Sequence, residues 1–421
     1  MGLERVFVAS WTLRKLRSAP LGVLLDDFCE WLWKRGFGRH SIRSHLGNVS
    51  HLNAWLGERG RQWSGCLSRK DIEGFWRAYP SRSRNRVPLE EHLKPVRHSV
   101  NRFVEFLREK GHFDLAASTP LYCPLLEEYL AWMRDRQHAS DGTLEVRRGS
   151  IKRFLEALDT QATPEGLSKL TADDVETFFV ERARTMGHAA RRSLQAALRT
   201  FLRFCLHQAY IQQRLDRAVP TLRTYKLAGV PRALRETQAQ VVLDSVDRST
   251  TVGRRDYAIL RLLYTYGVRG AQVRLLQLND VRWTEDQILF RAAKKGKDCL
   301  LPLTAEVGES LLDYLQHGRP RCSFPQVFLT CRAPYRPLPA SSSLSQIVRR
   351  CICAAGVDLP SRGAHVFRHA FATRMVAEGH PFKAVADMLG HRHLSTTFIY
   401  TKVDFNALSQ VALPWPEEVV S

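Results

Sequence analysis

Hydrophobic positions along most of the chain recur at helical spacing. Leu24, Leu25, Phe28, Trp31 and Leu32 step by three and four residues, as do Ile42, Leu46, Val49, Leu52, Trp55 and Leu56. A turn-rich break precedes Leu67-Ser68-Arg69-Lys70-Asp71-Ile72, where Ser68 is placed to cap the next helix. A further helix carries Val100, Phe103, Val104, Phe106 and Leu107 and ends near Gly111; Ala117-Ser118-Thr119-Pro120 then reads as a linker.

The pattern now repeats. Leu126-Glu127-Glu128-Tyr129 echoes Leu25-Asp26-Asp27-Phe28, and Arg153-Phe154-Leu155 echoes His51-Leu52-Asn53. Leu170 to Val175 repeats Leu67 to Ile72 with Thr171 as the cap, and Phe201-Leu202-Arg203-Phe204 repeats Phe103-Val104-Glu105-Phe106. Four ordered matches at an offset of roughly a hundred residues point to a duplicated helical module, although any two amphipathic bundles share part of this pattern. A second, basic linker runs from Val219-Pro220 to Pro231.

Beyond it the texture changes. Tyr257 to Tyr266 is apolar almost all round, broken only by Arg261 and Thr265, which predicts a buried helix closed by Gly267. Gln287-Ile288-Leu289-Phe290 and Cys299-Leu300-Leu301-Pro302 flank the turn Lys295-Gly296-Lys297-Asp298, a hairpin. The expected fold class is mainly α: helical bundles followed by a mostly α domain with a small antiparallel sheet.

Composition narrows the partner. The 421 residues suffice for two to three domains, and 44% hydrophobic with 25% charged residues excludes disorder throughout. The 63 Lys+Arg against 42 Asp+Glu leave a net charge of +21, so a polyanion is the expected partner, nucleic acid before an anionic membrane. The membrane reading weakens because no stretch of about 18 apolar residues exists. Met1 to Val6 lacks the Ser or Thr of a myristoylation signal, and Val6-Phe7-Val8-Ala9 is too short for a secretory core. A cytoplasmic, nucleoid-associated protein is expected. The nine cysteines are scattered with Cys351-x-Cys353 as their closest pair, so reduced thiols and no zinc site are expected. Gly296-Lys297 is followed by Asp298, which breaks a phosphate-binding loop. No cofactor is implied.

Candidate chemistry sits at four places. Arg269 lies two residues past Gly267, and Lys294 lies where the hairpin enters its turn. His365 and Arg368 share one helix face at i, i+3, while Phe367, Ala370, Phe371 and Met375 bury the neighbouring face. Leu389-Gly390-His391 is followed nine residues later by Tyr400. Singly, each signal is weak: an arginine after a helix is usually a cap, and hairpin lysines are usually a wet turn. In this order they are specific.

Together they resemble the tyrosine recombinase (phage integrase) family. The matching segments are Thr265-Tyr266-Gly267-Val268-Arg269, Ala293-Lys294 placed eight residues before Pro302, His365-Val366-Phe367-Arg368-His369, Leu389-Gly390-His391 and Thr396-Thr397-Phe398-Ile399-Tyr400. The resemblance spans roughly Pro124 to Val411. It implies a core-binding (SAM-like) helical domain at 119–222, a basic linker at 223–233 and a catalytic domain with a C-terminal tail at 234–421. Residues 1–118 fall outside that scheme, as a second core-binding-like DNA-binding or interaction module. The resemblance further implies site-specific recombination of double-stranded DNA for a mobile element, by a homotetramer acting alone or with related recombinases. Its catalytic residues would be Arg269, Lys294, His365, Arg368, His391 and the nucleophile Tyr400, with a 3′-phosphotyrosyl intermediate and a free 5′-hydroxyl.

Physical chemistry explains these residue types. A free tyrosine has a pKa near 10, so roughly one in a thousand is ionised at pH 7, and it needs a base in an electropositive site. Arg269 and Arg368 can fork onto non-bridging oxygens, His365 can take the proton, His391 can donate to the phosphate and Lys294 can protonate the leaving oxygen. A one-residue slip in register would promote Lys295 instead. Lys152, Arg153, Arg191, Arg192 and Arg199 are candidate phosphate contacts of the core-binding helices, against the plainer reading of solvated helix faces. One position departs from the family: Gln272 stands where Glu or Asp is common, and can orient Arg269 without offsetting its charge. The tail Phe405 to Leu413 is amphipathic, for docking on a neighbouring protomer or in cis. A telomere resolvase or type IB-like topoisomerase would use the same site. A decayed, architectural DNA-binding protein would have lost a catalytic position, and none of the six is lost.

Overall fold

The structure, a computed structural model, describes residues 2–79, 89–114, 120–222, 234–292, 298–359, 362–390 and 397. The chain divides into two compact units, one formed by residues 1–53 and 227–421 and the other by 54–226. Residues 115–119 and 223–233, which hold most of the two expected linkers, lie outside the described residues.

The first stretch holds α1 (Ser10–Arg17), α2 (Gly22–Lys34) and α3 (Arg39–Glu58), the last spanning the division between the units. Arg17 Nε donates to Asp26 at 3.1 Å, tying α1 to α2. In the second unit, β1 (Leu67–Ser68) leads into α4 (Arg69–Ala78), and α5 (Leu89–Glu109) leads into β2 (Phe113–Asp114), which pairs parallel with β1. Ser68 makes the expected cap as a reciprocal box. Its Oγ accepts from the Asp71 N–H, and the Asp71 carboxylate accepts from the Ser68 N–H.

The same unit continues with α6 (Cys123–Gln137), α7 (Asp141–Leu158), α8 (Pro164–Leu167), α9 (Ala172–Arg184) and α10 (His188–His207). Thr171 and Asp174 form a second capping box at the start of α9. The core here is aromatic: the Tyr129 ring lies 5.2 Å from Phe201 and 5.5 Å from Phe204. Val219 is fully buried in this core, and the Pro220 carbonyl accepts from Gln195 at 2.7 Å. The expected linker therefore does not begin at Val219; the chain stays packed through that residue because its apolar side chain fills the bundle.

The remaining elements are α11 (Glu236–Asp244), α12 (Thr251–Tyr266), α13 (Gly270–Leu275), β3 (Val281–Arg282), β4 (Gln287–Phe290), β5 (Cys299–Pro302), α14 (Ala305–His317), α15 (Ser341–Ala354), α16 (His365–Ala377) and α17 (Phe382–Leu389). Strands β4 and β5 pair antiparallel with Gln287 opposite Pro302 and Phe290 opposite Cys299, as the hairpin pattern predicts. A third strand, β3, joins the other edge of β4. Ile288 and Phe290 enter the same core as Ile259, Leu262 and Leu263 of α12. That helix starts six residues earlier than its apolar run, capped by Thr250. The part ahead of that run contains Arg255 and Asp256, both buried: the guanidinium donates to the Asp256 carboxylate at 2.8 Å and to the Leu329 carbonyl at 3.1 Å. Beyond the predicted Phe367 and Phe371, α16 also buries Val366, Ala372 and Val376, whereas Ala370 and Met375 are only partly covered. No helix among the described residues is long and apolar enough to cross a membrane.

Gly267 closes α12 in the left-handed region, at φ +58. A Cβ there would stand 2.5 Å from the Phe371 ring, so both backbone and packing demand glycine. Gly267→Ala should lose about 2–4 kcal/mol of stability, combining left-handed strain with overpacking. Chemical denaturation of the two proteins measures it, and a loss below about 0.5 kcal/mol would contradict this packing.

Candidate active site

The turn at Gly267 places Arg269 at the N-cap of α13. Gln272, itself buried, accepts the Arg269 backbone N–H on its Oε1 at 3.1 Å. The neutral amide thus orients Arg269 through the main chain. The guanidinium reaches elsewhere: its Nη2 donates to the Gly390 carbonyl at 3.1 Å. Gly390 ends α17 in the left-handed region, at φ +59.

Arg368 projects from the second turn of α16 and is 4% exposed. Its Nη1 donates to the Gly267 carbonyl at 2.9 Å and its Nη2 to the Leu389 carbonyl at 2.6 Å. Both arginines therefore end on carbonyls at the C-termini of α12 and α17, where helix dipoles concentrate negative partial charge. These bonds supply part of what a guanidinium needs to be buried at all.

His365 is the first residue of α16 and keeps an open edge toward solvent. Burial first, and then the charges of Arg368 and Arg269, push its pKa below the ordinary imidazole value. His369, whose ring centroid lies 6.3 Å away, is lowered by burial, by His365 and by Arg368. At pH 7 the site combines two fixed cations with neutral imidazoles. Such a set can hold an oxyanion and accept a proton beside it.

The structure thus brings together Arg269, His365 and Arg368. Lys294, His391 and Tyr400 lie outside the described residues, as do Lys295 and the tail 405–413.

A model of the phage integrase family matches residues 232–407. The y4rA protein of Sinorhizobium fredii, named as an integrase/recombinase, is 32% identical over 414 residues, covering 97% of this chain and 98% of that one. The chain belongs to the phage integrase family. The tyrosine recombinase XerD of Xanthomonas campestris pv. campestris is 34% identical over 64% of this chain and 85% of its own. Among solved structures, XerH bound to a palindromic difH substrate gives a TM-score of 0.54 at 21% identity, covering 70% of this chain and 85% of that one. A lambda integrase dimer bound to a COC′ core site gives 0.52 at 15%, covering 71% and 99%. The fold is the mainly α fold of these enzymes, and this integrase is a tyrosine-type site-specific recombinase.

The candidate phosphate contacts of this recombinase divide. Arg191 Nε donates to the Ala183 and Met186 carbonyls, both at 2.8 Å, closing the end of α9. Arg199 donates to the Val219 carbonyl and the Thr221 hydroxyl. Both serve the bundle itself. Lys152 is exposed and lies 3.6 Å from Glu156, while Arg153 and Arg192 are exposed. Arg153 also lines a cleft of about 190 Å³ with Ser150, Arg182 and Ser193. A second polar surface is absent from the sequence reading. Ser342, Ser345, Gln346 and Arg349 of α15 line an open cleft of about 710 Å³ with Arg362 and Gly363, two residues before His365. Its signal is a polar stripe at i, i+3, i+4 and i+7.

The electrostatics give a pH signature. Histidine NMR titrations should place His365 and His369 below the free value of about 6.5. The folded values lie under the unfolded one, so the unfolded chain takes up protons first as pH falls. Stability is therefore fully present above about 6.5 and declines below it. Arg269→Gln should raise the His365 value, because it removes one of the two charges that push it down. A His365 value at or above about 6.5 would contradict this arrangement.

Proposed function

We propose that this recombinase cuts and rejoins double-stranded DNA at specific sites through a 3′-phosphotyrosyl intermediate on Tyr400, in the service of a mobile element. The observation that carries the reading is the convergence of Arg269 and Arg368 on one locus with a histidine held neutral beside them. The Tyr400 oxygen attacks the scissile phosphorus and passes its proton to His365. The bond from phosphorus to the 5′-oxygen breaks as Lys294 supplies that oxygen with a proton. Arg269 and Arg368 face the non-bridging oxygens, where charge accumulates, and His391 donates to the same group. A 5′-hydroxyl of the partner duplex reverses the steps. One phosphate ester replaces another throughout, so no external energy source is required.

Residues 119–222 act as the core-binding domain and 234–421 as the catalytic domain, joined by the basic linker 223–233. Four protomers assemble on paired sites, in the cytoplasm on the bacterial nucleoid. The polar stripe of α15 lines the DNA path beside His365. The DNA-bound states of XerH and lambda integrase support a duplex substrate here.

Covalent trapping on nicked suicide duplexes, drawn from DNA bordering the gene, tests this function. Wild type should give an SDS-resistant adduct that Tyr400→Phe abolishes, while Arg269→Ala lowers its yield by about 100–1000-fold. An adduct persisting in Tyr400→Phe would overturn the nucleophile. Tight, salt-sensitive binding without any wild-type adduct would favour an architectural protein.

A further inference from the structure

Helices α2, α3, α4 and α5 begin at residues 22, 39, 69 and 89; α6, α7, α9 and α10 begin at 123, 141, 172 and 188. The separations are 101, 102, 103 and 99 residues, nearly constant across the whole set. Burial follows the same register. Leu24, Leu25, Phe28, Cys29 and Leu32 are buried in α2, as are Leu125, Leu126, Tyr129, Leu130 and Met133, each 101 residues later. In α3, Ile42, Val49 and Leu52 match Leu144, Ile151 and Phe154 of α7. In α5, Val96, Val100, Phe103, Val104, Phe106 and Leu107 are buried, and so are Leu194, Leu198, Phe201, Leu202, Phe204 and Cys205 at a shift of 98. The third helix of each set opens with the same reciprocal cap, Ser68 with Asp71 and Thr171 with Asp174. Generic amphipathicity produces periodic burial, but not a shared cap, residue-by-residue register and nearly fixed spacing over four elements.

The two sets differ in charge. Residues 1–118 hold 21 Lys+Arg against 12 Asp+Glu, whereas residues 119–222 hold 15 against 13. A cationic surplus opposes compaction by self-repulsion, so it points to an anionic partner rather than to the core both sets share. Two of these cations share one face of α5, a helix that also carries Glu90 and Glu91 in its first turn. Lys94, Arg97, His98 and Asn101 of α5 are all exposed, at i, i+3, i+4 and i+7, opposite the buried Val96, Val100 and Phe103. The stripe is about 10 Å long, enough for two or three phosphates along one strand. The Arg97 guanidinium lies 5.6 Å from the Trp76 ring centroid, which positions it while leaving its charge intact. Glu105, further along the helix, is paired with Arg102 at 2.5 Å. Lys94 stands at the position that exposed Arg192 holds in the second set, 98 residues on. Among the described side chains of residues 54–114 no large hydrophobic is exposed, so the α5 face itself offers no apolar interface, whereas Val8, Trp11 and Val23 are exposed earlier in the chain.

We propose that residues 1–118 are a second copy of the 119–222 module, and that the Lys94–Asn101 face of α5 binds the phosphate backbone of duplex DNA outside the stretch held by residues 119–222. Two modules on one chain cannot occupy the same phosphates, so the amino-terminal copy extends the footprint. The alignment with the y4rA relative takes in 97% of this chain, and so nearly all of residues 1–118. This inference rests on the reading of residues 119–222 as a DNA-gripping module.

The test uses the full chain and two duplexes from the trapping experiment's DNA pool, one a short core and one extended by about three helical turns on each side. The slope of log affinity against log salt is read for each, because added non-specific sites raise affinity but leave the slope unchanged. Wild type should show a steeper slope on the extended duplex. Lys94→Glu with Arg97→Glu should cut that slope by about 2 and leave core binding in place. Lys94→Arg with Arg97→Lys should keep it, which separates lost charge from lost fold. Equal slopes for wild type on both duplexes, or an unchanged slope in the charge-reversed protein, would overturn the proposal. So would an equal loss on both duplexes, or a charge reversal that instead dissociates a DNA-free dimer. Adduct formation on the core duplex is scored in parallel: its absence from wild type would defeat the recombination reading and leave the footprint result standing.

Discussion

A guanidinium buried between the ends of two helices governs the catalytic region. Arg368 cannot leave water without donors finding acceptors, and the carbonyls of Gly267 and Leu389 meet two of them. Those carbonyls are available only because α12 and α17 both terminate in left-handed glycines at this point. Gly267 further lets the Phe371 ring approach the backbone, which seats α16 against α12. The same chain reversal then delivers Arg269, whose guanidinium returns to Gly390. Fold and site are thus one hydrogen-bonded knot.

The knot sets the chemistry available. Two cations fixed in place, with little conformational freedom left to lose, form a preorganised site for an oxyanion. Their field, added to burial, keeps His365 neutral and so able to accept a proton, and the ring's open edge is the edge a substrate can reach. A histidine without these neighbours would be protonated to a greater extent near neutral pH and less available as a base.

Much of this was legible in the residues because it rests on short-range rules. The capping boxes at Ser68 and Thr171 need only a Ser or Thr and an acid three residues on, and the β4–β5 hairpin needs only two apolar runs around a Gly-containing turn. Arg269, His365 and Arg368 were legible as a set because the family pattern supplied their order, not because any spacing shows that residues a hundred positions apart meet. Long-range effects hid the rest. The start of α12 ahead of Tyr257 escaped because Arg255 and Asp256 look like surface charges until the Leu329 carbonyl and Arg350 are seen to meet them. Strand β3 has two residues, too few for any period to register. Arg191 and Arg199 look no different in sequence from exposed Arg192, and only the carbonyls they reach separate a structural arginine from a surface one. Gln272 reads as a partner for a charge, and the fold uses it as a partner for a backbone amide.

The central claim is that the Arg368 knot forms in the free protein, before DNA arrives. Denaturant unfolding of DNA-free Arg368→Lys against wild type tests it most directly. Lysine cannot fork across two carbonyls, so the account predicts a loss of about 3 kcal/mol without DNA. Wild-type stability in a variant that has nonetheless lost strand cleavage would contradict it, showing that Arg368 is fixed by DNA rather than by the helix ends.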